Sequence, residues 1–176
     1  MPPLASAGRP GRCRRVLVVV CGLPGVGKTT VSEAIADRLD APRLRTDVVR
    51  KDLLEDPDYT REETRRVYEE LLARGKTALD AEGVVVLDGT FKREPQRDAA
   101  AALATACEVP FQLVKVECEA AVVRDRIAAR EGDESDADFE VHQLHREQFE
   151  PLDCEHTVVD NSNTMAETHR QVEAVF

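Results

Sequence analysis

Six consecutive apolar residues, VLVVVC at 16–21, run directly into GLPGVGKTT at 22–30. So short and so wholly apolar a β-branched run reads as a strand covered on both faces. The glycines that follow demand a tight turn, and Val31, Ile35 and Leu39 then recur at helical spacing. A buried strand, a Gly-rich loop and a returning helix therefore come in one stretch. Three later runs have the strand's character: VVVLD (84–88), FQLVKVEC (111–118) and HTVVDN (156–161). A weaker one, PRLRTD (42–47), makes a fifth.

Helical patterns lie between them. Thr60 with Glu63 forms a capping-box signature, and Gly83 stands where that helix should stop. Residues 94–107 are Ala-rich, 120–130 carry Val123 and Ile127 on one face, and 164–176 bring Met165, Val172 and Phe176 together. Strands alternating with helices predict a parallel sheet in an α/β fold. The length of 176 residues suits one core, and with 4% aromatics and no Trp that core is built from Val, Leu, Ile and Ala. Residues 1–15 read as a loose tail and 16–176 as one domain; the acidic EGDESDAD (131–138) is the best candidate for a mobile loop, with a plain solvated turn the alternative.

A net charge of −10 disfavours nucleic acid and anionic membranes as partners, although a local basic groove is compatible with it. The arginines ahead of Val16 mimic a signal peptide, but the apolar run is too short and no A-x-A site follows. No stretch approaches the roughly 20 apolar residues that span a bilayer. Five cysteines (13, 21, 107, 118, 154) form no CxxC pair and fit reduced thiols. The expectation is a soluble, cytoplasmic protein.

The loop Gly22-Leu23-Pro24-Gly25-Val26-Gly27-Lys28-Thr29, with Thr30 after it, matches G-x-x-x-x-G-K-[ST] between a strand and a helix. Glycines let successive N–H groups turn inward onto phosphate oxygens, and the helix N-terminus adds positive potential. Lys28 can reach the β- and γ-phosphates of ATP, and the Thr29 hydroxyl can meet Mg²⁺. Asp88, closing an apolar strand, is the second candidate for Mg²⁺; a turn role before Gly89 is the plain alternative.

GLPGVGKTT, TDVVRKDL, VVVLDGTF and VRDRIAAR followed by SDAD together resemble the P-loop kinase group, which includes polynucleotide kinase, zeta toxin, gluconate kinase and seryl-tRNA kinase. The likeness runs over about 16–176 and is strongest to small AAA-type ATP-binding predicted kinases of bacteria and archaea. It implies a five-stranded sheet of order 2-3-1-4-5. It implies that Asp47, at the end of the second strand, accepts the proton of an acceptor hydroxyl and that Arg50 helps hold the acceptor. A helix cap for Asp47 and plain surface charge for Arg50 are the alternatives. Arg126 and Arg130, four apart on one face, match lid arginines that stabilise transition-state charge, with Arg124 a less well-placed third. A solvent face paired to Asp125 or Glu131 would also explain them. The loop bearing Thr90, Lys92, Arg93 and Arg97 would face the acceptor, Thr90 and Arg93 foremost, with a solvated surface role the alternative for each. Asn161 sits where related kinases contact adenine. His142, His145, Cys154 and His156 fit no zinc spacing and read as packing or surface residues.

The expected activity is transfer of the γ-phosphoryl of ATP to a hydroxyl of a small molecule. A nucleotide switch acting on a protein partner and a nucleic-acid 5′-hydroxyl kinase are the rivals.

Overall fold

The computed structural model describes residues 15–129 and 139–176. Arg130, the 131–138 loop, Cys13 and nearly all of the 1–15 tail lie outside the described residues.

Five parallel strands form one sheet: β1 (Val16–Cys21), β2 (Arg43–Arg45), β3 (Val84–Asp88), β4 (Phe111–Glu117) and β5 (Thr157–Asp160), in the order β2-β3-β1-β4-β5. The doubly wound architecture and the order 2-3-1-4-5 are as the resemblance implies. β1 is central, and all six of its side chains are buried. Its alternation divides the core. Val16, Val18 and Val20 pack with Val31 and Ile35 of α1 (Lys28–Leu39), Val123 of α5 (Ala120–Ala129) and Val172 of α7 (Met165–Val175). Leu17, Val19 and Cys21 pack with Val49 of α2 (Thr46–Leu53), Leu71 and Leu79 of α3 (Arg61–Glu82) and Ala100 of α4 (Glu94–Ala106). Each fully buried Val or Leu stabilises the fold by roughly 1.5–3 kcal/mol. Burial also lifts the Cys21 thiol to about 12, which keeps it protonated and inert.

Thr60 and Glu63 form the expected capping box on α3, and Gly83 ends that helix at φ 76, its N–H bonded to the Leu79 carbonyl at 2.9 Å. No described helix is long and apolar enough to cross a membrane.

Two local expectations differ. β2 is only three residues long, so the chain turns into α2 at Thr46 and Asp47 lies in the helix's first turn, not at the strand's end. Nor does Asp47 cap α2, whose N-cap is Arg45 with no side-chain cap bond. Met165 is 61% exposed, because α7 first reaches the sheet at buried Thr168, one turn later.

Candidate active site

Strand register decides what meets at the C-terminal edge of the sheet. Asp88 pairs across β3 with Val20 on one side and Arg45 on the other. The root of the Gly-rich loop, the acidic end of β3 and the start of α2 thereby converge, where α/β folds gather their ligands.

Gly25 and Gly27 adopt φ 83 and φ 89, a left-handed backbone that side chains rarely take. Space forbids a side chain as well. A Cβ at Gly27 would strike the Asn161 amide, and one at Gly25 would come within 2.9 Å of Ile127 and Val123 on α5. Side-chain donors take up the loop's carbonyls. Lys28 Nζ bonds to Leu23 O at 2.8 Å, His142 Nδ1 to Pro24 O at 2.7 Å and Asn161 Nδ2 to Val26 O at 2.9 Å. A carbonyl only accepts, so His142 carries its proton on Nδ1. With these oxygens engaged, the loop's N–H groups and the unsatisfied amides opening α1 are what remains for an anion.

Asn161 is thus a loop clamp. Its Oδ1 accepts from Thr168 Oγ1 at 2.7 Å while Nδ2 holds Val26 O, so both ends of the side-chain amide are held by protein, and its backbone N–H donates to Glu117 O at 2.8 Å. Its buried side chain ties β5 and α7 to the phosphate loop, a role that the adenine expectation did not contain. We predict that Asn161→Ala costs about 1–3 kcal/mol through the unsatisfied partners it leaves. At this chain length that lowers the thermal midpoint by about 2–12 °C and weakens nucleotide binding. An unchanged midpoint in thermal denaturation would refute the clamp.

Thr29 and Asp88 do come together, through residues absent from the sequence-based candidates. Ser32 Oγ donates to Asp88 Oδ2 at 2.7 Å. Arg43 Nη1 lies 3.8 Å and Arg45 Nε 3.9 Å from the same oxygen. Arg45 Nη2 also donates to Thr29 Oγ1 at 3.2 Å, and Arg43 Nη1 to Thr29 O at 3.3 Å. Two arginines i and i+2 along a strand share one face. That spacing in PRLRTD was the available signal.

Asp47 stands beside this cluster with its side chain 46% exposed, 3.7 Å from Arg45 Nη2. Burial by the surrounding walls raises its pKa above the ordinary aspartate value, Asp88 adds to the rise, and Lys28 and Arg45 oppose it. Arg50, three residues on, is buried beneath Tyr59, whose ring centroid is 4.7 Å from the guanidinium carbon. Buried Tyr68 packs edge-on against Phe91 at 4.9 Å, and its hydroxyl accepts the Phe91 N–H at 2.8 Å.

The expected acceptor loop is largely committed within the fold. Thr90 O accepts from Gly22 N–H at 3.3 Å, Lys92 Nζ bonds Gln148 at 2.8 Å, and Arg93 pairs with Glu150 at 2.8 Å. Arg97 is buried and donates to the carbonyls of Phe91 and Pro151. These bonds strap the segment after α6 (Phe139–Gln148) to the sheet. Arg126 does reach the phosphate loop: its Nη1 contacts Cys118 Sγ at 3.5 Å and borders Gly27. Arg124 stacks on Phe139 at 4.5 Å. His142 and His145 share the inner face of α6, whereas His156 bonds the Cys154 carbonyl elsewhere. Burial, with the charges of Lys92 and Lys28 adding to it, lowers His145 to about 4 and keeps its imidazole neutral.

The family model described as AAA domain matches residues 17–152. An uncharacterized protein of Mycobacterium tuberculosis H37Rv is 33% identical over 139 residues, covering 71% of this chain and 28% of the relative. The chain thus spans little more than a quarter of the curated relatives it matches. Among solved structures, a gluconokinase from Sinorhizobium meliloti 1021 superposes with a TM-score of 0.69 at 22% identity, covering 93% of this chain and 92% of that one. The APS kinase CysC of Mycobacterium tuberculosis, in complex with AMPPNP and APS, gives a TM-score of 0.68 at 16% identity, covering 92% and 97%. These similarities show the fold alone. The matched span takes in the phosphate loop and Asp88, so this chain has the P-loop kinase fold and belongs to the AAA domain family.

Proposed function

We propose that the chain is an ATP-dependent phosphotransferase that moves the γ-phosphoryl group to a hydroxyl of a small molecule. Residues 16–176 form the catalytic domain in this reading, with 1–15 a tail. One observation carries it: the Asp47 carboxylate stands 3.7 Å from Arg45, which itself donates to Thr29 of the phosphate loop at 3.2 Å, so a proton acceptor lies at the phosphate site where a switch protein would need no base.

The residues suit ATP and Mg²⁺. The left-handed backbone at Gly25 and Gly27, held by side-chain bonds to the carbonyls of Leu23, Pro24 and Val26, leaves the loop's N–H groups for phosphate oxygens. Thr29 and Asp88 would hold Mg²⁺, which when bound neutralises charge on the phosphates. Arg45, now bonded to Thr29 Oγ1, is the cation that would yield there. Lys28 leaves the Leu23 carbonyl for the phosphates. Asp47 orients the acceptor hydroxyl and takes its proton. Arg126, with Arg130 as its proposed companion, offsets the charge that develops in transfer. His142, bonded to Pro24, holds α6 across the loop and helps exclude water.

The test is direct. Saturating ATP·Mg²⁺ should raise the thermal midpoint, because it binds only the folded state; 100-fold excess over Kd is worth about 2.7 kcal/mol. ADP release should then rise when a hydroxyl acceptor is added. Midpoint and ADP release that ignore every small-molecule acceptor would discard the reading.

A further inference from the structure

We propose that His145 contacts the terminal phosphate of the bound nucleotide, its Nδ1 donating a hydrogen bond to a phosphoryl oxygen, and so favours a nucleoside triphosphate over a diphosphate. This deepens the phosphotransferase reading and rests on it.

The inner face of α6 is held at two points. His142 bonds Pro24 O of the phosphate loop at 2.7 Å, and Phe139 stacks on its ring at 5.6 Å. At the other end of the helix, Gln148 Oε1 accepts from Lys92 Nζ at 2.8 Å, in the loop between β3 and α4. His145 is three residues from each, and residues three apart on a helix are neighbours. It therefore stands where α6 crosses from the loop after β1 to the loop after β3. Those two strands are adjacent in the sheet.

Unlike His142 and Gln148, His145 is not satisfied by the chain. Its Nδ1 is buried and has no hydrogen-bond partner among the described residues. A polar atom cut off from water and left unmet is costly, so it calls for a partner from outside the chain. Burial, with the charges of Lys92, Lys28 and His142 adding to it, keeps the imidazole neutral at working pH. A neutral imidazole carries one proton, and the partner decides which nitrogen holds it.

Charge selects that partner. The lysine charges that act on the ring are positive and disfavour a metal cation, and no group of three His, Cys, Asp or Glu that could hold one gathers among the described residues. An oxyanion answers both lysines, and because it only accepts, it fixes the proton on Nδ1. In the phosphotransferase reading, the first phosphates lie against the loop's N–H groups and Lys28. The terminal one projects toward Asp88 at the end of β3. α6 crosses that same gap between β1 and β3, so His145 meets the terminal phosphate. Being neutral, it supplies a directed bond without adding a further cation.

Isothermal titration calorimetry of the full chain with AMPPNP·Mg²⁺ and with ADP·Mg²⁺ tests this. His145→Leu, which fills the volume without a donor, should weaken AMPPNP by roughly 10- to 100-fold, the worth of a hydrogen bond to a charged oxygen, and leave ADP nearly unchanged. His145→Asn, whose amide nitrogen takes the place of Nδ1, should keep AMPPNP within a few-fold of wild type. If the Leu variant does not fold, His145→Gln, whose amide nitrogen reaches the place of Nε2, should show the same selective loss. Equal loss of both nucleotides, or loss of neither, overturns the proposal, as does an Asn variant as weak as the Leu one. In each of those cases, AMPPNP binding by the wild-type chain leaves phosphotransfer standing. A wild-type chain that binds neither nucleotide removes both.

Discussion

Lys28→Ala is expected to cut ADP release by roughly 10³-fold or more while leaving the thermal midpoint within about 2 °C. The size follows from what the ammonium does. In a water-poor cleft, one preorganised positive group facing transferring phosphate contributes about 10²–10³ in rate, and a charged one toward the upper end or beyond. The fold should tolerate the change because Lys28 belongs to neither core cluster. Its Nζ bond to the Leu23 carbonyl is half-buried and local, five residues apart. Lys28→Ala also removes a charge that lowers the pKa of Asp47, so the carboxyl should titrate higher still. The decisive measurement is steady-state ADP release beside a melting curve of the same preparation. Near-normal turnover in a folded Lys28→Ala protein would remove the phosphate loop from the chemistry and the enzyme reading with it.

Asp47→Asn should separate transfer from nucleotide binding. Asn preserves shape but cannot take a proton, so kcat should fall by roughly 10²- to 10⁴-fold. ATP affinity should stay within a few-fold of wild type. A second signature comes from stability. A carboxyl whose folded pKa is raised binds protons more tightly folded than unfolded. Its contribution to stability is therefore full at low pH and is lost as pH rises from the unfolded value through the raised folded one. Above that window the ionised carboxylate is a liability to the fold, and Asn removes it. The variant should be as stable as wild type at neutral pH, or slightly more so. A helix-cap role gives the reverse, but α2 makes no side-chain cap bond at Arg45 and Asp47 lies inside the helix. Wild-type kcat should decline on acidification through the raised pKa, earlier than an ordinary aspartate allows. Unchanged kcat in the Asn variant, with an acceptor present, would make Asp47 structural.

Much of this site is written in contiguous sequence. The phosphate loop is legible because its glycines, lysine and threonine act through backbone within one turn of chain. The α3 cap at Thr60 and its stop at Gly83 are likewise local. Asp88 is legible because it ends an apolar run. The sheet order is different in kind: alternation implies a parallel sheet, but the order 2-3-1-4-5 came through resemblance to P-loop kinases.

What the sequence determined by itself is therefore what backbone geometry and short-range periodicity control: a buried central strand, a glycine cradle at its end and an α/β alternation around it. Only the tertiary structure decided who guards that cradle. Asn161 bonds Val26 from 135 residues away and His142 bonds Pro24 from 118. Arg43 and Arg45 meet Asp88 because β2 pairs with β3. Arg93, a candidate for the acceptor, pairs with Glu150, 57 residues on. Side chains of one chemical type serve in a cleft or on a surface strap according to which distant element packs beside them. Spacing along the chain carries no record of that choice, because packing, not local propensity, makes it.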